Sequence, residues 1–240
     1  MEKMITYETL RRFAYSNDHL IEGKIRGIML RFCGLNTTRM ENSDPAEACE
    51  YAEQNILYVI PYYDPWCWMN NQAVRYINEI LDVLRVRYEL DESIGIVATG
   101  DSMGGLGALT YCVYAKTPPV ACVTNCPACD LVYHLNERED VPHTLYNAFF
   151  DFDGTMEEAL KSRSPMHLIP KMPHIPYTIF YCELDRLVNN ERHAIPFAEQ
   201  MRRNGHDVTL IRVPHRPHCG LSPEARIAQK NAVLSAFEPQ

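Results

Sequence analysis

Gly100-Asp101-Ser102-Met103-Gly104 constrains this chain more than any other segment. It follows Ile94-Gly95-Ile96-Val97-Ala98-Thr99, an apolar run that reads as a buried strand. It precedes a stretch from Gly105 to about Ala115 that reads as a helix. A strand that turns so abruptly into a helix strains the backbone at Ser102. Small residues are needed on either side, because a Cβ there collides with the neighbouring strand and helix. Such a turn lifts a serine hydroxyl clear of the sheet. The new helix also aims its first amides at the same spot, where they favour developing negative charge. The extra Gly105 and Gly107 let that helix pack closely on the sheet. The setting favours a nucleophile-bearing turn over a plain glycine-rich loop.

Strand-like and helix-like segments alternate along the rest of the chain, which predicts a mostly parallel central sheet with helices on both faces. Residues 5–15 and 18–32 read as early strands that can pair as a hairpin. Asp44-Pro45 opens a short helix, with Asp as its cap and Pro in its first turn. Strands are predicted at Ile56 to Pro61, Val120 to Thr124, Tyr177 to Cys182 and Val208 to Val213. Val74, Ile77, Ile80, Leu81, Leu84 and Tyr88 recur at helical spacing. A helix follows the strand at Tyr177 to Cys182 and stops at Asn204-Gly205, with Pro196 inside it predicting an irregular first turn or a late start, and Pro223 to Phe237 forms the closing helix. Residues 130–172 break the rhythm: they are polar, helical in places, and lack a buried strand. They carry too few apolar residues for a core of their own. They read as a small helical insertion, a lid over the carboxyl edge of the sheet, within one domain spanning 1–240.

A serine hydroxyl is a weak nucleophile at neutral pH and needs a base, which in turn needs an orienting carboxylate. Strand 177–182 runs into Glu183-Leu184-Asp185. Asp185 lies deeper in the loop and is the preferred acid, with Glu183 as competitor. The last strand runs into His215-Arg216-Pro217-His218-Cys219-Gly220. His218 lies far enough past the strand to fold back toward Ser102 and is the preferred base, with His215 as runner-up. An oxyanion intermediate needs two amide donors. The N–H of Met103 is one candidate. The turn Cys33-Gly34-Leu35 supplies the other, from Leu35 first and Gly34 second.

Together these segments resemble the α/β-hydrolase superfamily, nearest to its esterase and prolyl-oligopeptidase-like serine hydrolase branches. Ser102-Met103-Gly104-Gly105-Leu106-Gly107 resembles the elbow of esterase-D-like and feruloyl-esterase-like enzymes. Ser164-Pro165-Met166-His167, Ile175-Pro176, Asp185-x-x-Val188 and Asn204-Gly205-His206 resemble the catalytic domain of prolyl-oligopeptidase relatives. The likeness runs over about residues 25–237. It implies an α/β-hydrolase fold and a Ser-His-Asp acyl-enzyme mechanism on a carboxylic ester. The alternatives are a small serine peptidase acting on short peptides and, less favoured, a non-catalytic binding protein of the same fold. One departure stands out: the relatives usually have His-Gly-Gly where this chain has Cys33-Gly34-Leu35.

The loop Tyr62-Tyr63-Asp64-Pro65-Trp66-Cys67-Trp68-Met69 follows a central strand and holds both tryptophans. Trp66, Trp68 and Tyr63 are candidates for lining a substrate pocket. Cys126-Pro127-Ala128-Cys129 is a CxxC, which fits a redox pair or half a zinc site completed by His215 and His218. Unpaired structural thiols are the preferred reading, with no metal and no cofactor. The expected partner is a small ester or short peptide. The net charge of −8 offers no basic stripe for nucleic acid. No run of apolar residues is long enough to span a bilayer. The start Met1-Glu2-Lys3-Met4-Ile5-Thr6-Tyr7-Glu8 lacks a basic-then-apolar signal, which leads to the expectation of a cytoplasmic protein with reduced thiols.

Overall fold

A computed structural model describes residues 4–238. Residues 1–3 and 239–240, which belong to the Met1–Glu8 segment and to the 1–240 span read above, lie outside the described residues. Seven strands form one sheet: β1 (Ala14–Ser16), β2 (Gly27–Phe32), β3 (Ile56–Pro61), β4 (Ile96–Asp101), β5 (Ala121–Asn125), β6 (Tyr177–Cys182) and β7 (Val208–Val213). Their order is β1-β3-β2-β4-β5-β6-β7. β1 pairs antiparallel with β3, and every other neighbouring pair is parallel.

The pleat sorts the apolar residues onto two faces. Ile28, Leu30, Leu57, Val59, Ile96 and Ala98 enter one core, beneath helices α2 (Asn71–Arg87), α3 (Met103–Tyr114) and α8 (Ala194–Arg203). Met29, Ile56, Tyr58, Ile60 and Val97 enter the other, beneath α1 (Ala46–Ala52) and α9 (Pro223–Ser235). Because both faces are covered, the central strands are apolar at nearly every position.

The insertion consists of α4 (Leu131–His134), α5 (Val141–Phe149), α6 (Met156–Arg163) and α7 (Pro165–Leu168). Its apolar side chains Leu131, Val141, Leu145, Phe149 and Leu160 join the core under α2 and α3. Ser164 pins its two ends together: its hydroxyl accepts from the Leu131 amide and donates to the Cys129 carbonyl, both at 3.0 Å.

Two expectations are corrected. Residues 5–15 and 18–32 do not pair as a hairpin: Gly27–Phe32 is a strand, β2, but it pairs with β3 and β4, and the rest holds two short 3-10 turns and the three-residue β1, which pairs with β3. Residues 5–26 are polar and interrupted, so there only Ala14–Ser16 finds a partner, on the sheet edge. Asp44 does not cap α1. Pro45 holds the cap position, and the Asp44 carboxylate instead accepts from the Tyr15 hydroxyl at 2.8 Å.

Candidate active site

The turn from β4 to α3 places Ser102 at φ 57° and ψ −123°. A non-glycine residue there carries strain of order 1–3 kcal/mol, sustained only by its surroundings. Those surroundings are tight. A Cβ on Gly100 would lie 2.3 Å from the Gly104 carbonyl oxygen, and one on Gly104 would lie 2.3 Å from the Phe32 carbonyl oxygen. The Ser102 amide donates to Asn125 at 3.0 Å, which fixes the turn to the end of β5. Helix α3 therefore starts at Met103 with its first amides facing outward past Ser102.

The turn after β2 comes beside it. A Cβ on Gly34 would lie 4.0 Å from the Ser102 Cβ. The Cys33 amide is taken, donating to the Tyr63 hydroxyl at 2.6 Å. Gly34, Leu35 and Met103 amides make no backbone hydrogen bond among the described residues. They are the donors this corner of the sheet leaves free.

Asp185 and His218 meet across the ends of β6 and β7. His218 Nδ1 and Asp185 Oδ2 are 2.6 Å apart, with side chains 15% and 0% exposed. The other Asp185 oxygen accepts from the Leu187 and Val188 amides at 2.9 and 3.0 Å. Burial opposes ionisation of Asp185. The bonds from His218 and the two amides outweigh it and hold the carboxyl below its ordinary value. Burial likewise disfavours a charged His218, but its hydrogen bonds with Asp185 and Cys126 raise it to about 9.

The competing residues turn away. Glu183 pairs with Arg212 and accepts from the His215 amide, and the His215 side chain is 86% exposed. Ser102 Oγ makes no hydrogen bond with His218 among the described residues. The imidazole lies instead beside thiols: one of its nitrogens and the Cys126 and Cys219 sulfurs are all within 4.8 Å of one another. The CxxC reading missed this arrangement, because Cys129 faces elsewhere, toward the Pro127 carbonyl.

The aromatic loop divides. Tyr63 and Trp66, with Asp64, Tyr76 and Phe150, line a cavity of about 580 Å³. The cavity adjoins the turn after β2, because Tyr63 bonds Cys33 and Trp66 bonds Asn36. Trp68 does not line it. Its ring is 1% exposed, stacks edge-on against His134, and donates to the Thr144 hydroxyl at 3.0 Å. The insertion covers that side of the loop, so Trp68 is a core residue that anchors the insertion.

A second buried cluster was not foreseen. Glu137 Oε2 lies 2.6 Å from His134 Nδ1 and 2.9 Å from His193 Nε2, and Oε1 accepts from the Asn189 amide at 2.7 Å. His193 Nδ1 accepts from the Cys129 and Asp130 amides. Its proton therefore sits on Nε2 and is donated to Glu137. Burial opposes the Glu137 charge, but the two histidines and the Asn189 amide overcome it, and the carboxyl is held well below its ordinary value. This network ties the insertion to the segment that carries Asp185.

A strained serine past a parallel strand, a nearby amide-rich turn and an Asp-His pair on the next strand ends make this an α/β-hydrolase fold. The chain superposes on an acylaminoacyl peptidase in complex with Z-Gly-Gly-Phe-chloromethyl ketone with TM-score 0.69 and 15% identity, over 91% of this chain and 38% of that one. A Mycobacterium tuberculosis puromycin-hydrolyzing peptidase gives 0.73 and 16%, over 90% of this chain and 34% of that one. The apo form of Thermogutta terrifontis esterase 2 gives 0.63 and 19%, over 95% of this chain and 91% of that one. This chain thus spans little more than a third of each peptidase and nearly the length of the esterase. No family model and no curated protein matches its sequence. Among the described residues, no helix is long and apolar enough to cross a membrane.

Proposed function

We propose that this chain is a serine hydrolase that cleaves carboxylic esters through an acyl-enzyme. The observation that carries the reading is the Asp185–His218 pair at 2.6 Å on the same sheet edge as the strained Ser102. Asp185 holds the proton of His218 on Nδ1, which leaves Nε2 free to accept one. In this mechanism Nε2 reaches the Ser102 hydroxyl, a contact that commonly tightens only when substrate is bound. His218 removes the hydroxyl proton as Ser102 Oγ attacks the carbonyl carbon. The amides of Met103 and Leu35, with Gly34 beside them, stabilise the oxyanion. His218 then protonates the departing alkoxide, and water activated by the same imidazole releases the acid.

The cavity at Tyr63 and Trp66 seats the substrate's apolar group. A peptidase acting on short peptides is the second reading, supported by the likeness to the acylaminoacyl peptidase. Comparing p-nitrophenyl acetate with aminoacyl-naphthylamides separates the two. Ser102→Ala is expected to abolish hydrolysis and labelling by a fluorophosphonate while leaving the circular dichroism spectrum unchanged. Undiminished turnover in that variant overturns the assignment.

A further inference from the structure

Cys126 and Cys219 flank His218 in a way that hydrolysis does not require. Cys126 immediately follows β5 and is 1% exposed, whereas Cys219 is half-buried and borders a separate cavity of about 600 Å³. Both have positive φ, 48° and 57°. Cysteine gains nothing from that conformation, which Asn or Gly adopts more readily. Two strained residues, Cys126 and Cys219, therefore bring their sulfurs to one imidazole, and such strain gathers where function demands a fixed geometry.

We propose that Cys126, Cys219 and His218 form a site for a thiophilic divalent cation, zinc foremost, and that filling it withdraws His218 from hydrolysis. The inhibitory half rests on the proposed role of His218 as the base. The donor set suits the ion: two sulfurs and an imidazole leave a fourth position for water. Tetrahedral zinc, with Zn–S about 2.3 Å and Zn–N about 2.0 Å, separates its donors by roughly 3.5–3.8 Å. The present donors lie within 4.8 Å of one another, so shifts of about an ångström or less close the site. Asp185 on Nδ1 supplies the carboxylate support that zinc-bound histidines characteristically have, and it directs Nε2 to the metal. Two S–H bonds break and, below about pH 9, the Nε2–H bond of His218 as well; two S–metal bonds and one N–metal bond form, the released protons pass to solvent, and no electron is transferred.

His134, Glu137 and His193 form the other cluster of metal-ligand types, but Glu137 and His193 already spend their polar atoms on one another, on His134 Nδ1 and on three backbone amides.

The test uses the whole chain, reduced, stripped with EDTA and desalted. Zinc is expected to lower p-nitrophenyl acetate hydrolysis at least tenfold, reversibly on adding EDTA. One equivalent of cobalt is expected to give a thiolate-to-metal charge-transfer band. Both effects should vanish in Cys126→Ser and in Cys219→Ser, each compared with its own metal-free rate. Cys219→Ser, at the half-buried position, carries the test if Cys126→Ser does not fold. A wild-type cobalt complex without a thiolate band overturns the proposal, as does zinc inhibition that survives in Cys219→Ser. A thiolate band in a protein with no metal-free hydrolysis supports the metal site and refutes the esterase reading instead.

Discussion

Gly104 and Gly107 lie one turn apart on α3, both buried, and replacing each by alanine should have opposite results. A Cβ on Gly104 meets backbone: the Phe32 carbonyl oxygen at 2.3 Å, its carbon at 2.7 Å and the Cys33 carbonyl carbon at 2.9 Å. Relief requires α3 and the end of β2 to separate by roughly 1 Å, in an interior that is close-packed. That movement carries the turn Cys33-Gly34-Leu35 away from Ser102. Overpacking of this kind costs about 1–3 kcal/mol, partly offset by about 1 kcal/mol of better helix propensity. At about 2–4 °C per kcal/mol for a chain of this size, Gly104→Ala should melt a few degrees lower. A donor misplaced by about 1 Å is expected to reduce kcat on the order of 100-fold.

A Cβ on Gly107 meets only the flexible end of Met69, at 3.0 Å, and Phe32 side-chain atoms at ordinary distance. Gly107→Ala should keep its activity and gain up to about 1 kcal/mol from helix propensity. Thermal melts and kcat/KM on p-nitrophenyl acetate decide the matter. A Gly104→Ala protein with the parent rate and melting temperature would falsify the assignment of that contact, and so would equal damage at both positions.

With metal removed by EDTA, kcat/KM should climb as pH rises toward about 9, because the proposed base is the neutral imidazole and His218 is raised that far. A profile already flat from near pH 7 contradicts it. The same shift lends stability that is complete below about 6.5, the unfolded value, and is lost as pH rises through about 9. Asp185→Asn should lower kcat by roughly 10⁴ with KM little changed, since it favours the wrong imidazole tautomer. A loss under tenfold speaks against Asp185 as the orienting acid. Glu137→Gln turns an amide N–H toward histidine N–H groups and should destabilise the fold by about 2 kcal/mol, read from urea titration. An unchanged midpoint would mean that the network does not hold the insertion down.

What the sequence revealed of this site follows how local each determinant is. The bend at Ser102 needs small neighbours within two residues, so Gly100 and Gly104 announce it directly. Asp185 and His218 were legible because parallel strands deliver their loops to one edge, whatever the loop sequences. Helices α2 and α8 and the later strands declared themselves by apolar period and by the Asn204-Gly205 stop. The segment before residue 27 did not, since β1 is short and its pairing with β3 depends on residues some 45 positions away. Trp68 shows the same limit: nothing within its own loop distinguishes a pocket wall from a core position, and the lid residue Thr144 decides it.

The thiols around His218 are the sharpest case. Reading Cys126 with Cys129 follows the chain, but the chain there leaves a strand end, and the two sulfurs part. Cys126, just past β5, and Cys182, at the end of the neighbouring β6, both reach the Asn125 side chain with their sulfurs, at 3.3 and 3.8 Å. Cys219 arrives from beyond β7. Only sheet order brings these residues together, so the environment of His218 is set by topology. The bend at Ser102, in contrast, is set by a pentapeptide. Substitutions at the elbow should therefore act on the chemistry at once, whereas substitutions at the thiols should act through His218, on its pH profile and its response to metal.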